Sequence, residues 1–178
     1  MRKKLHVESI VYSGVLITIG IILPMIFHAV GGAGKVFLPM HIPVILAGFI
    51  LSPVYAVGVG MLTPLISSLL TTMPLLYPIC PIMMVELGTY GLVISLLSKA
   101  GVHNIFIKLL ASMLVGRLMA GLTVYIMGVT LGLKFDPIEY VKGAIVVGLP
   151  GLLIQWLIIP SMVYMMDRYF PRIVNIKR

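Results

Sequence analysis

The sequence predicts an all-α integral membrane protein, a bundle of six transmembrane helices with both termini in the cytoplasm. Three observations predict it. Of 178 residues, 60% are hydrophobic and 10% charged, where a soluble domain carries about 25% charged residues. The apolar residues are gathered into long runs, and one crossing of the hydrocarbon core takes about 20 of them, so the length accommodates about six crossings joined by short loops. Lys and Arg, finally, divide unequally between the two sides of such a bundle. The whole chain, residues 1–178, reads as a single transmembrane domain.

The first crossing covers about residues 9–29, with Pro24 set to bend its far end. The basic start Arg2-Lys3-Lys4 resembles that of a signal peptide, but the apolar run exceeds the roughly 7–15 residues of a signal core and no small-residue cleavage site follows it. It is read as a retained span. The Gly- and Pro-rich stretch GGAGKVFLPMHIP is a loop. A short second span, about 41–52, is broken by Ser52-Pro53, and a third follows over about 54–70. TTMPLLYPICP, with three prolines, makes a second irregular loop. Span four covers about 82–98. A polar connection, 99–104, leads into span five, about 105–131. A charged loop, 134–142, precedes span six, about 141–166. The runs are apolar on every side, unlike the alternating segments of a membrane barrel, and a helix satisfies its own backbone in lipid.

With six crossings, Arg2, Lys3, Lys4, Lys99, Lys108, Arg168, Arg172, Lys177 and Arg178 lie on the side of the termini. Lys35, Lys134 and Lys142 lie opposite. The excess of positive charge marks the cytoplasmic side, and it accounts for the net charge of +8 without invoking nucleic acid. The loops after spans one, three and five then face outward. VFLPM and MPLLYPICP are too apolar for segments bathed in water; they are expected to fold back and line or cap a cavity.

Catalytic chemistry is poorly provided for. The sequence contains no GxxxxGK[ST] phosphate loop and no HExxH pattern. Lone Cys80 allows neither an internal disulfide nor a cysteine metal cluster. The five carboxylates are Glu8, Glu86, Asp136, Glu139 and Asp167, and nothing resembles a nucleophile–base–orienter set. No metal and no cofactor is expected.

Two charges fall inside spans, Glu86 and Arg117. Buried charges face a cavity or a partner, so contact with a solute and a structural pair between spans four and five both stand as readings. Depth, counted from the outer ends, speaks against a simple pair: Glu86 lies about one turn down and Arg117 about fourteen residues down, roughly 6 and 21 Å. Tyr77, Tyr90, Tyr125, Gln155 and Trp156 are candidates to stack on or hydrogen-bond a ligand, with interfacial anchoring as the competing role. His41 opens span two, where a helix N-terminus can receive an anionic group. Small residues recur at spacing four on span one, Ser9 with Ser13 and Gly14 with Thr18, which lets helices approach closely.

The stretches GGAGKVFLPMHIPVILAGFILSP and LTPLISSLLTTMPLLYPICPIMMVELGTYGL, with FLPMHIPV and P-x-x-P-x-M-M-x-E-L at their centres, resemble the substrate-binding (S) components of energy-coupling factor transporters. These are membrane subunits of prokaryotic vitamin importers. The resemblance implies a multi-pass protein of the plasma membrane that is not itself an enzyme. It implies a pocket near the outer face, closed by the loops after spans one and three. It implies as partners a vitamin, a membrane T component, two ATPase subunits and the lipid bilayer itself. By position the pocket would draw on Lys35, Phe37, Met40 and His41, on Tyr77, and on Glu86, Tyr90, Tyr125 and the neighbourhood of Gln155, with Arg117 as a further contact. The T component would dock against Ser9, Ser13 and Gly14, although serines stand where alanines are common in the family. Pantothenate fits this pocket first, its carboxylate meeting Lys35, His41 or Arg117.

Two other classes compete. A stand-alone carrier or channel would show internal repeats or an intramembrane ionisable relay; residues 1–89 and 90–178 do not repeat convincingly. A small membrane enzyme would cluster His, Asp or Glu at one depth, and no such cluster is visible in the sequence.

Overall fold

The computed structural model describes residues 2–29, 34–132 and 134–169, without the side chains of residues 2–5, 28, 29 and 35. The first three residues of the first irregular loop, 31–33, therefore lie outside the described residues. So do the side chains of Arg2, Lys3, Lys4 and Lys35, and the whole of Arg172, Lys177 and Arg178.

Every regular element among the described residues is helical: α1 (Arg2–Ala29), α2 (Gly34–Phe37), α3 (His41–Ile50), α4 (Pro53–Thr71), α5 (Ile79–Lys99), α6 (Ile105–Leu131) and α7 (Pro137–Tyr169). Their boundaries follow local chemistry. Asn104 caps α6, its Oδ1 accepting from Phe106 N at 2.9 Å and Ile107 N at 3.3 Å. Gly132 ends the same helix in the left-handed region, at φ +68°. Asp136 caps α7 through Ile138 N and Glu139 N, at 2.8 and 2.9 Å. Pro53 starts α4 at a position where a missing N–H costs nothing.

Five of these helices, α1 and α4 to α7, are long and apolar enough to cross a membrane. The second expected span is not. α3 has ten residues, about 15 Å of rise, half the thickness of a hydrocarbon core. Both ends fall where the sequence marks them, at His41 and before Ser52-Pro53, and the helix between them is too short to cross. α3 is also the most enclosed element, with His41 and residues 43–49 all buried. It packs against α1, α4, α5 and α7. Around it the long helices follow one another, α1 against α4, α4 against α5, α5 against α6 and α6 against α7. Among the described residues α1 and α7 do not meet directly, and α2 and α3 contact both of them.

The main apolar core runs along α3, from Met40 and Val44 to Phe49 and Leu51, with Tyr90, Ile94, Leu109 and Ile159 closing on it from the other helices. At the end of the bundle that holds the α5–α6 turn, Ser95 Oγ donates to Leu51 O at 2.8 Å, tying α5 to the exit of α3. Lys108 is at the same end. The sequence places it among basic residues of a water-facing flank, yet its side chain is fully buried. Its Nζ donates to Ser98 Oγ at 3.0 Å and stands 5.5 Å from the centroid of the Phe49 ring. One turn inside α6, on the face toward α5 and α3, the stem packs in the core while the ammonium finds a hydroxyl and a π-face.

Residues 34–40 are pinned to the bundle. Leu38 N donates to Gly34 O and His41 N to Leu38 O, both at 3.1 Å. The Phe37 ring lies 5.5 Å from the Phe27 ring of α1. At the same end, residues 72–78 fold back on α4, with Ser67 Oγ donating to Met73 O at 2.7 Å and Thr71 Oγ1 to the same oxygen at 3.1 Å.

Candidate solute-binding site

A polar cluster lies inside the bundle, and three helices build it. On α5, Glu86 and Tyr90 are four residues apart and so share a face. Tyr90 Oη donates to Glu86 Oε1 at 2.6 Å. On α6, Arg117 Nη1 donates to the same Oε1 at 2.8 Å. On α3, His41 places Nε2 at 3.9 Å from that oxygen, in range for electrostatic attraction but beyond a hydrogen bond. Its ring lies 5.7 Å from the Tyr90 ring, tilted by 53°. Glu86 is 2% exposed and Arg117 9%. The close approach of α5 and α6 depends on Gly116, because a Cβ there would overlap the Tyr90 ring edge.

The ion pair corrects the depth argument made from the sequence. Counted from outer ends, Glu86 and Arg117 stand at different levels. Counted from the turn that joins α5 and α6, they agree. Glu86 precedes Lys99 by thirteen residues and Arg117 follows Ile105 by twelve, about 20 and 18 Å along the axis. A short turn fixes the register of an antiparallel pair, whereas the free ends of the two helices extend unequally.

The cluster holds more hydrogen-bonding capacity than it uses. Arg117 Nε and Nη2 and both ring nitrogens of His41 are buried and have no hydrogen-bond partner among the described residues. The same is true of both amide atoms of Gln155, which is fully buried on α7. Buried polar groups are ordinarily paired, and leaving one unpaired costs about 1–3 kcal/mol. With Ser68 Oγ on α4, these atoms are the buried hydrogen-bonding capacity left unmet among the described residues.

The other expected contacts scatter. Met40 is buried beside His41 as part of the apolar core. Phe37 is half-buried against Phe27. Tyr77 is exposed in the segment before α5. Tyr125 is 58% exposed on α6 and does not join the cluster. Trp156 is held by Met113, its Nε1 lying 3.3 Å from the sulfur. Tyr140, which sequence inspection passes over, packs half-buried against Ile82, Ala120, Val124 and Met127. A surface groove lined by Pro24, Met25, Thr71 and Met73 draws on no residue of the polar cluster. Among the described residues, no three His, Cys, Asp or Glu side chains gather as a metal site would need.

An apolar helical bundle with a buried, incompletely paired polar cluster has the form of a membrane protein that binds a small solute. The family model for the ECF transporter substrate-specific component matches residues 8–166, and the chain belongs to that family. Its members are substrate-binding subunits of membrane transporters rather than enzymes, and this chain is accordingly a multi-pass membrane protein. Neither a curated protein nor a solved structure gives a match to the chain.

Proposed function

We propose that this chain captures a vitamin or related micronutrient at the outer face of a prokaryotic plasma membrane and hands it inward as part of an ATP-driven importer. Pantothenate is the first candidate. The protein crosses the membrane six times, with both termini and the α5–α6 turn in the cytoplasm, and residues 34–40 together with α3 complete the second crossing. Glu86, Arg117, Tyr90, His41 and Gln155 form the floor of the pocket. Lys35, Phe37 and Met40 belong to the segment that covers it, and Tyr77 to the second covering loop. Tyr125, on an exposed face, is assigned to the lipid-facing surface. The chain has no phosphate loop of its own, so hydrolysis falls to two ATPase subunits coupled through a membrane T component.

The observation that carries this reading is the set of buried, unpartnered polar atoms on His41, Arg117 and Gln155. The test is to purify the protein in mild detergent from rich medium, denature it and identify what it releases by mass spectrometry. A stoichiometric vitamin is the expected result. A protein that releases nothing, and that no member of a vitamin panel protects from thermal unfolding, sinks the proposal.

A further inference from the structure

We infer that the ligand of this site carries a carboxylate, held side-on by the Nε–Nη2 edge of Arg117. The inference rests on the solute-binding reading above and names the chemistry of what is bound.

A guanidinium is a planar fork whose N–H groups lie in pairs along its edges, each edge matching two oxygens of one carboxylate. Arg117 spends one nitrogen inside the protein, with Nη1 2.8 Å from Glu86 Oε1. The two atoms with no partner are Nε and Nη2. These are neighbours on a single edge, so the free capacity is one intact fork. A residue needed only to neutralise Glu86 would require one positive charge at one point, which a lysine supplies. A guanidinium bonded through Nη1 alone, with its side-on edge buried and unpaired, is arranged to serve a second acceptor.

The geometry of that edge narrows the acceptor. Two parallel N–H donors ask for two coplanar acceptor atoms on one group. A lone carbonyl or hydroxyl leaves one donor unmet, at the cost that attends any buried unpaired donor. A phosphate has oxygens enough but brings close to two negative charges at neutral pH, and Arg117 is already shared with Glu86. A carboxylate satisfies both donors and adds a single charge.

The Nη2 end of the edge lies against the covering segment. A Cβ built at Gly148 of α7 would stand 3.8 Å from Arg117 Nη2 and 2.9 Å from Leu38 Cδ1. Nη2, the bare backbone of Gly148 and the Leu38 side chain therefore meet at one point. Leu38 belongs to the segment that covers the bundle between α1 and α3, and it holds a left-handed backbone at φ +49°, uncommon for a branched apolar residue. The fork thus faces the seam between that segment and α7.

The experiment compares matched pairs on the ligand-stripped, full-length wild-type protein in detergent. The pairs are pantothenate against its alcohol panthenol, nicotinate against nicotinamide, and biotin against biotinamide, read by thermal protection and calorimetry, alongside the identity of any ligand released on denaturation. The expected result is that the ligand bound is a carboxylate, and that its neutral counterpart binds roughly 10- to 100-fold more weakly, the range of a charge-assisted hydrogen bond. Arg117→Lys keeps the charge and removes the fork. It should weaken the carboxylate by a similar factor and narrow the gap in affinity between the carboxylate and its neutral counterpart. A released or protective ligand without a carboxylate, or a pair bound with equal affinity, overturns the inference and leaves the solute-binding reading intact. No ligand released and no protection by any probe overturns both. The wild-type comparison stands even if the lysine variant does not fold.

Discussion

Glu86 Oε1 receives both Arg117 Nη1 and Tyr90 Oη, and His41 stands behind them. One oxygen thus joins three helices, and its loss is felt in two ways. Glu86→Gln keeps the shape of the side chain but leaves Arg117 a buried charge without its counter-ion. Breaking a buried pair from one side costs about 3–5 kcal/mol. Tyr90→Phe removes one hydrogen bond to a charged acceptor, worth about 1.5–3 kcal/mol. Melting in detergent should therefore rank wild type above Y90F and Y90F above E86Q, with solute affinity falling in both variants. If E86Q melts like wild type, the ion pair is not holding the bundle. Gln155 calls for the opposite expectation. Its amide is fully buried with neither atom paired, so replacing it by an apolar side chain of similar volume removes an unsatisfied group. Gln155→Leu should leave the empty protein as stable or more stable, by about 1 kcal/mol, while lowering solute affinity. A variant that loses stability and keeps affinity would show the amide to be a structural group.

Among the elements, α2 and α3 matter most, because among the described residues they stand between α1 and α7. Their seat on α7 is a glycine. A Cβ at Gly151 would lie 2.7 Å from Phe37 C and O and from Val36 O, and these are backbone atoms, which cannot turn aside as a flexible side chain would. Gly151→Val should lift the covering segment from α7 and speed solute release about tenfold or more, an effect read by ligand washout. The long helices should stay packed, so the melting temperature without solute should change much less than that of E86Q. An unchanged release rate would show that the seat of α2 on α7 has no part in retention. Where the elements begin and end was largely legible in the sequence. α6 falls on residues 105–131 because Asn104 can cap it and Gly132 can end it. α3 was legible in its bounds, expected at about 41–52 and found at His41–Ile50, but one dimension does not show that so short a helix is enclosed by longer ones; only packing does. Lys108 was misread for a related reason: a lysine one turn inside a helix has the same sequence signature whether its stem faces water or a neighbouring helix. The Glu86–Arg117 pair was obscured by counting from free ends, although the turn at residues 100–104 held the information.

At the scale of the whole molecule, the proposed function gives capture to the polar cluster and leaves transport to an outside surface. α1 is the crossing helix least enclosed by its own bundle. It buries a stripe of Leu16, Gly20 and Pro24 and leaves Val7, Ile10, Val11, Val15, Ile19 and Ile22 exposed. No atom lies within 4 Å of a Cβ built at Gly14. The Ser13 hydroxyl donates to Ser9 O at 2.7 Å, so this small residue presents no unpaired polar group to lipid or to another helix. Small residues on an apolar face favour close helix packing in a membrane, where van der Waals contact replaces the hydrophobic effect. We expect this face to receive the T component, and its separation from the polar cluster makes the two roles separable. Gly14→Leu fills space that no neighbouring atom occupies, and Ser13→Leu enlarges a half-buried side chain on the same helix; neither position belongs to the cluster, so solute affinity should stay close to that of wild type. Assembly should suffer: co-purification of the T component and ATPase subunits with the leucine variants should fall at least tenfold, and ATP-dependent uptake in vesicles should fall with it. Loss of solute binding with assembly intact would place the pocket, rather than the docking surface, on α1. Unchanged assembly in both variants would move the docking surface to another face of the bundle.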